Sequence, residues 1–246
     1  MSESTHAKNL ENLHIANSIV ASVGAVYDPI NSLLKGPSLP DFETGVATRM
    51  GEVNEKLSLE QTAVDLQIAA FKQVSSRVSK TIKAAKALGL SPEFLENLRQ
   101  TSNRLNGIRV NKATPDEMQP PPAPGAAGTG GTRSVSRRSY AGILESLDLF
   151  DEQLKSNAAY KPNEDFYKSA TITAWIADLR TLHNNALDTK VATRSARNAR
   201  DSFAYSKTDG LLIRMNALKA YMETILDKND PRFRQLKKLI FIDHSK

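Results

Sequence analysis

Glu11 and His14 stand three residues apart, the spacing at which one helix aims a carboxylate and an imidazole at a single metal in helical di-iron bundles. Such a centre needs a second Glu-x-x-His pair and two further glutamates. His183 follows Arg180 at that offset and His244 follows Phe241, so the second pair is missing. The polar surroundings of Glu11 and His14 favour a solvated helix start, and no metal ligand is assigned. His183 lies beside Leu182 on the apolar side of its own helix, with Leu179, Arg180, Ala186 and Leu187 as helical neighbours. A catalytic imidazole needs a group that orients its ring. None of these neighbours is a carboxylate, so His183 reads as a boundary histidine satisfied by packing, and Trp175 as a core anchor.

Lys190, Arg194, Arg197 and Arg200 recur at steps of four, three and three, which places them in one stripe along a helix. Such a stripe can track phosphates on a nucleic-acid backbone or face an acidic partner helix. It can equally be structural, with the long stems covering apolar surface while Asp201 and neighbouring carboxylates neutralise the heads. These four are the candidate residues for binding an anionic partner. Arg232, Arg234, Lys237 and Lys238 form a second basic cluster, read as structural. The glycines between Gly125 and Gly131 are not followed by Gly-Lys-Ser/Thr, so they make no phosphate loop. Ser75-Ser76 lacks the flanking glycines of a nucleophile elbow. With no cysteine, the chain has no disulfide, thiolate zinc site or cysteine nucleophile. No catalytic or cofactor-binding residue is assigned, and the protein is expected not to be an enzyme.

The formal net charge of +6 is thinly spread: residues 1–111 carry an excess of +1, residues 112–138 of +2 and residues 139–246 of +3. Strong nucleic-acid binders gather their positive charge on one module, so a protein partner or self-association is favoured over nucleic acid. The most apolar stretch, Ile15 to Val26, contains Asn17, Ser18, Ser22 and Gly24, and falls short of the ~20 apolar residues a transmembrane helix needs. A polar start without a basic and then apolar segment implies no secretion signal. The expected location is cytoplasmic.

The elements that would position these residues are helical. Aromatics make up 6% of the chain, so the core must be mostly aliphatic. Residues 112–138 contain Gln119-Pro-Pro-Pro-Ala-Pro124 and then a glycine-rich run. Proline and glycine cannot sustain a helix, which marks this segment as a flexible linker. The expected division is an N-terminal helical bundle over 1–111, the linker over 112–138, and a C-terminal helical bundle over 139–246.

In the first half, Ile15, Ile19, Val23, Val26, Ile30 and Leu33 give one stripe on a helix from Lys8 to Leu34, kinked at Pro29. Asp41 can cap a long coiled-coil-like helix running to Leu88, with Gly89 as its stop and Ser91-Pro92-Glu93 starting another. In the second half, Ile143 to Leu154 stripe a short helix, and Pro162-Asn163-Glu164 opens the next. That helix carries Ile172, Trp175, Leu179, Leu182 and Ala186, and then a small-residue face of Ala192, Ala196 and Ala199. Asp209-Gly210 interrupts, and Asp230-Pro231 caps a last helix.

The halves read as a diverged internal repeat. Leu34-Lys35 with Pro40 matches Leu154-Lys155 with Pro162, and Ser91-Pro92-Glu93-Phe94 matches Asp230-Pro231-Arg232-Phe233. The expected fold is all-α, as two antiparallel helical bundles.

Ser134-Val-Ser-Arg-Arg-Ser-Tyr140, Tyr160-Lys-Pro-Asn-Glu164, Ser195-Ala-Arg-Asn-Ala-Arg200 and Thr208-Asp-Gly-Leu211 carry a resemblance. Over residues 133–241 the chain resembles a group of uncharacterised, mostly helical proteins of Bacteroidota bacteria with a variable Pro- or Ala-rich middle segment. Arg137-Arg138 departs from the Gln or Met types expected there. The resemblance implies a helical fold and carries over no catalytic residue. A non-enzymatic interaction or scaffold protein is the expected function, with nucleic-acid or anionic-surface binding through the basic stripe as the alternative and an unrecognised enzyme as a further one.

Overall fold

A computed structural model describes residues 3–36, 38–107 and 139–243, and the described chain is all-helical, without a strand. The linker assigned to residues 112–138 lies outside these described residues.

α1 (Glu3–Val23) buries Leu13, Ala16, Ile19 and Val23 on one face. It ends where Gly24 takes φ +67°, a conformation that residues with a Cβ avoid. The expected continuation to Leu34 therefore does not form, and Ile30 is 98% exposed. α2 (Ser38–Lys72) and α3 (Val74–Ala87) divide, at Gln73, what the sequence suggested was one helix. Asp41 sits inside α2 and is not its cap. Gly89, at φ +71°, stops α3. The Ser91 side chain then accepts the Phe94 N–H at 3.3 Å ahead of α4 (Pro92–Leu105), so this capping expectation holds.

α5 (Tyr140–Ser156) is capped by Ser139. α6 (Ser169–Ala204) starts later than Pro162, behind a 3-10 turn over Asp165–Tyr167. Its small-residue face is not the buried one: Ala192 and Ala199 are exposed, while Thr193 and Arg200 are buried. α7 (Leu211–Ile225) and α8 (Pro231–Lys238) complete the order, with Asp230 accepting the Arg232 N–H at 2.8 Å. No helix among the described residues is long and apolar enough to cross a membrane.

The chain forms two compact units, Met1–Gln61 with Asp188–Lys246 and Thr62–Leu187. The division falls inside α2 and α6, so each unit draws on both sides of residues 112–138. This corrects the expected bundles of 1–111 and 139–246. Periodicity shows which face of a helix seeks cover, and either half could have supplied it.

In the first unit, Leu13 and Ile19 share a core with Leu34, Phe42 and Val46, and with Met215, Leu218, Met222, Phe233 and Leu236 from the other end of the chain. α8 packs there on α1 and α7. In the second unit, Val78, Ala85 and Leu98 share a core with Leu147, Phe150, Leu154, Ile172 and Leu179, and α4 packs on α3 and α5.

Burial recurs along the chain at fixed distances. Leu39, Phe42, Val46, Val53, Gln67 and Phe71 of α2 lie 133 positions before Ile172, Trp175, Leu179, Ala186, Arg200 and Ala204 of α6, and all but the half-buried Trp175 are buried. Leu13, Ala16, Ile19 and Val23 precede the buried Leu144, Leu147, Phe150 and Leu154 by 131. Val74, Val78, Thr81 and Ala85 precede the buried Leu211, Met215, Leu218 and Met222 by 137. The anchors Pro40 and Pro162 do not correspond, because Pro40 is inside α2 and Pro162 is in a loop. The structurally matched pair is Pro29 and Pro162, in Tyr27-Asp-Pro29 and Tyr160-Lys-Pro162.

One tight turn depends on a missing side chain. A Cβ on Gly210, which precedes α7, would lie 2.4 Å from the Ser206 carbonyl oxygen and 2.5 Å from its nitrogen. Backbone cannot swing aside as a side-chain tip can. Gly210→Ala is expected to destabilise the fold by about 1–3 kcal/mol, read as a lower urea midpoint at unchanged slope.

Candidate functional site

The basic stripe does not survive as one surface. Lys190 and Arg194 are exposed on α6 and Arg197 is half-buried, but Arg200 is 3% exposed. Its Nε donates to Asp201 at 2.9 Å, and its Nη2 donates to Nε2 of His6 at 3.0 Å. A guanidinium only donates, so the His6 proton belongs on Nδ1, which meets the Tyr205 hydroxyl at 2.9 Å. Asn9 donates to the same hydroxyl at 3.1 Å and to the Ile242 carbonyl at 2.7 Å, and Asn12 donates to the Ile240 carbonyl at 2.8 Å. Burial pushes the Tyr205 pKa up.

This network ties α1, α6 and the extended C-terminal segment together within the first unit. His6, Asn9 and Asn12 are buried although their types read as solvated. The signal is positional: they extend the stripe of Leu13, Ala16 and Ile19 by steps of three and four.

Glu11 pairs with Lys8 at 2.9 Å, whereas His14 meets Glu43 of α2 at 2.8 Å. The two side chains of the Glu-x-x-His pair thus have different partners. Among the described residues no group of three or more His, Asp or Glu is placed to hold a metal ion. In the second unit, His183 Nδ1 lies 2.7 Å from the amide of buried Gln67, and its ring stands 6.2 Å from that of Tyr140.

The features that recur in both units lie around the Tyr-x-Pro loops. The Tyr27 hydroxyl donates to the Leu34 carbonyl at 2.9 Å, and the Tyr160 hydroxyl donates to the Tyr167 carbonyl at 2.6 Å. Each tyrosine latches its loop across seven residues. Burial, with a smaller contribution from Tyr221 or Tyr167 respectively, pushes both phenols up to about 12.

Beside each loop a guanidinium covers an aromatic ring. Arg214 of α7 lies 4.6 Å from the Phe42 ring centre, and Arg77 of α3 lies between Phe166 and Trp175 at 4.2 and 4.4 Å. Burial lowers the pKa of both arginines, against a nearby Asp209 or Asp178. These stacks stabilise, as cation–π pairs, the contact of α7 with α2 and that of α3 with α6 and the turn at Phe166.

Two clefts open next to these loops. One of about 700 Å³ in the first unit is lined by Lys35, Asp41, Phe42, Phe203, Asp209 and Arg214, among others. Arg214 is already committed there, donating to the Leu33 carbonyl at 2.7 Å and the Ser38 hydroxyl at 2.8 Å. The other, of about 400 Å³ in the second unit, lies between α3 and the loop at Pro162. Both volumes fall in the range of small binding sites. No family model, curated protein or solved structure matches the chain.

Proposed function

We propose that this chain is a non-enzymatic helical interaction protein built from two diverged copies of one repeat, residues 3–107 and 139–243. Each compact unit would then combine the opening of one copy with the close of the other. The observation that carries the reading is the matched burial of α2 with α6 and of α3 with α7, joined by the matched tyrosine latches and arginine stacks. Two units of one plan give a protein two related surfaces, and two tethered contacts bind far more tightly than either alone. Kinship with the uncharacterised Bacteroidota proteins and a cytoplasmic location belong to the same proposal.

The supporting experiment is cross-linked purification of the tagged full chain from the organism that encodes it. A protein partner recovered in fixed proportion to the chain is the expected result. Recovery of nucleic acid alone would overturn the reading.

The exposure of Lys190 and Arg194 favours binding to an anionic surface as a second reading. The two readings differ on immobilised heparin. With the stripe shortened by the burial of Arg200, the protein is expected to elute at low salt, and Lys190→Glu with Arg194→Glu to shift elution only slightly. Retention that falls steeply with salt and vanishes in that double variant would establish the second reading.

A further inference from the structure

We infer that the 400 Å³ cleft of the second unit is a docking site for a tyrosyl side chain carried on an acidic segment of a partner protein. The inference rests on the duplication proposed above, and it comes from a place where the two units differ.

Ala84 lines this cleft from α3, opposite Pro162 and Tyr167 of the loop. At the spacing of 137 that relates α3 to α7, the counterpart of Ala84 is Tyr221. In the first unit Tyr221 lies against the Tyr-x-Pro loop. Its ring meets Tyr27 edge-on with centres 5.4 Å apart, and its hydroxyl accepts the Asp28 N–H at 2.9 Å. One unit therefore fills this place with a phenol from its own helix, where the other has a methyl group and a cleft.

The rim differs as well. Lys80 and Lys83 line the cleft, and their counterparts in the first unit are Ala217 and Ala220. Both lysines are exposed and neither forms an ion pair among the described residues, while Glu164 is the one carboxylate in the lining. A cleft roomy enough for a ring, with two unpaired ammonium groups in its lining, suits an aromatic anchor flanked by acids. Tyrosine is a common anchor of this kind, since it buries a large rigid ring and keeps a polar tip.

The probe is the peptide acetyl-Glu-Glu-Tyr-Glu-Glu-amide, titrated into the full chain while amide resonances are followed. Shifts confined to residues 80–88 and 160–167 are expected. Replacing the peptide's tyrosine by alanine, or its glutamates by lysines, is expected to weaken binding about fivefold or more. Scattered shifts, or equal binding by the alanine peptide, would overturn the inference.

Ala84→Tyr separates its two foundations. A folded variant with an unchanged or raised melting temperature and no peptide binding supports both. A folded variant that binds the peptide unchanged overturns the docking site alone. A variant that no longer folds would show that the second unit cannot seat the ring that the first unit seats, which overturns the duplication and the inference with it.

Discussion

A chain cut once within residues 112–138 should keep its two fragments together. Leu13 and Phe42 share their core with Leu218 and Leu236, and Val78 and Leu98 share theirs with Leu147 and Leu179, so both cores hold residues from each side of the cut. Alone, either fragment would expose the apolar faces that the other covers. The expected outcome on introducing a protease site and cleaving is a complex that elutes as one species and separates only in denaturant. Its unfolding midpoint should become concentration-dependent, as for any structure whose stability is linked to association. Two independently folded fragments that elute apart would refute the division of the chain described above. Separate bundles over 1–111 and 139–246 would behave in that second way.

Arg200→Ala should be the most damaging of the single substitutions in the basic stripe. The Arg200 side chain is 4% exposed and ion-paired with the partly exposed Asp201, and it also satisfies Nε2 of buried His6. Removing the guanidinium takes away the donor that Nε2 of buried His6 accepts from, at a cost of about 1–3 kcal/mol, while Asp201 keeps access to water. Lys190→Ala and Arg194→Ala, both at exposed positions, should change stability by no more than about 0.5 kcal/mol. Urea denaturation of the three variants checks the contrast. Equal and small effects would mean that Arg200 is a surface cation after all, available to an anionic partner together with its neighbours.

Local chemistry was legible in the sequence where a few adjacent residues decide the outcome. Ser91-Pro92 and Asp230-Pro231 start helices, and Gly89 stops one, because capping and positive φ depend on the chain within one turn. At Gly24 the apolar period misleads: it continues as far as Leu33, while the backbone turns at the glycine.

Long-range pairing was not legible. The face of α1 seeks apolar cover, but nothing in residues 1–111 says that α8 supplies it. The polar stripe failed for the same reason. Arg200 reads as a surface cation by type, and its burial depends on His6, 194 positions away. The proposed repeat rests on buried positions of α2 and α6 whose residue types differ, Gln67 against Arg200 and Phe71 against Ala204, whereas the prolines near helix starts, Pro40 and Pro162, do not correspond.

The interleaving of the two units also bears on how the protein is made. During synthesis, the second unit lacks nothing once Leu187 has left the ribosome, but α1 (Glu3–Val23) must wait for α8 (Pro231–Lys238). At about 5–20 residues per second, the first helix would spend roughly 10–40 s without its final cover. Nascent chains should therefore lean on chaperones most heavily at the apolar face of α1.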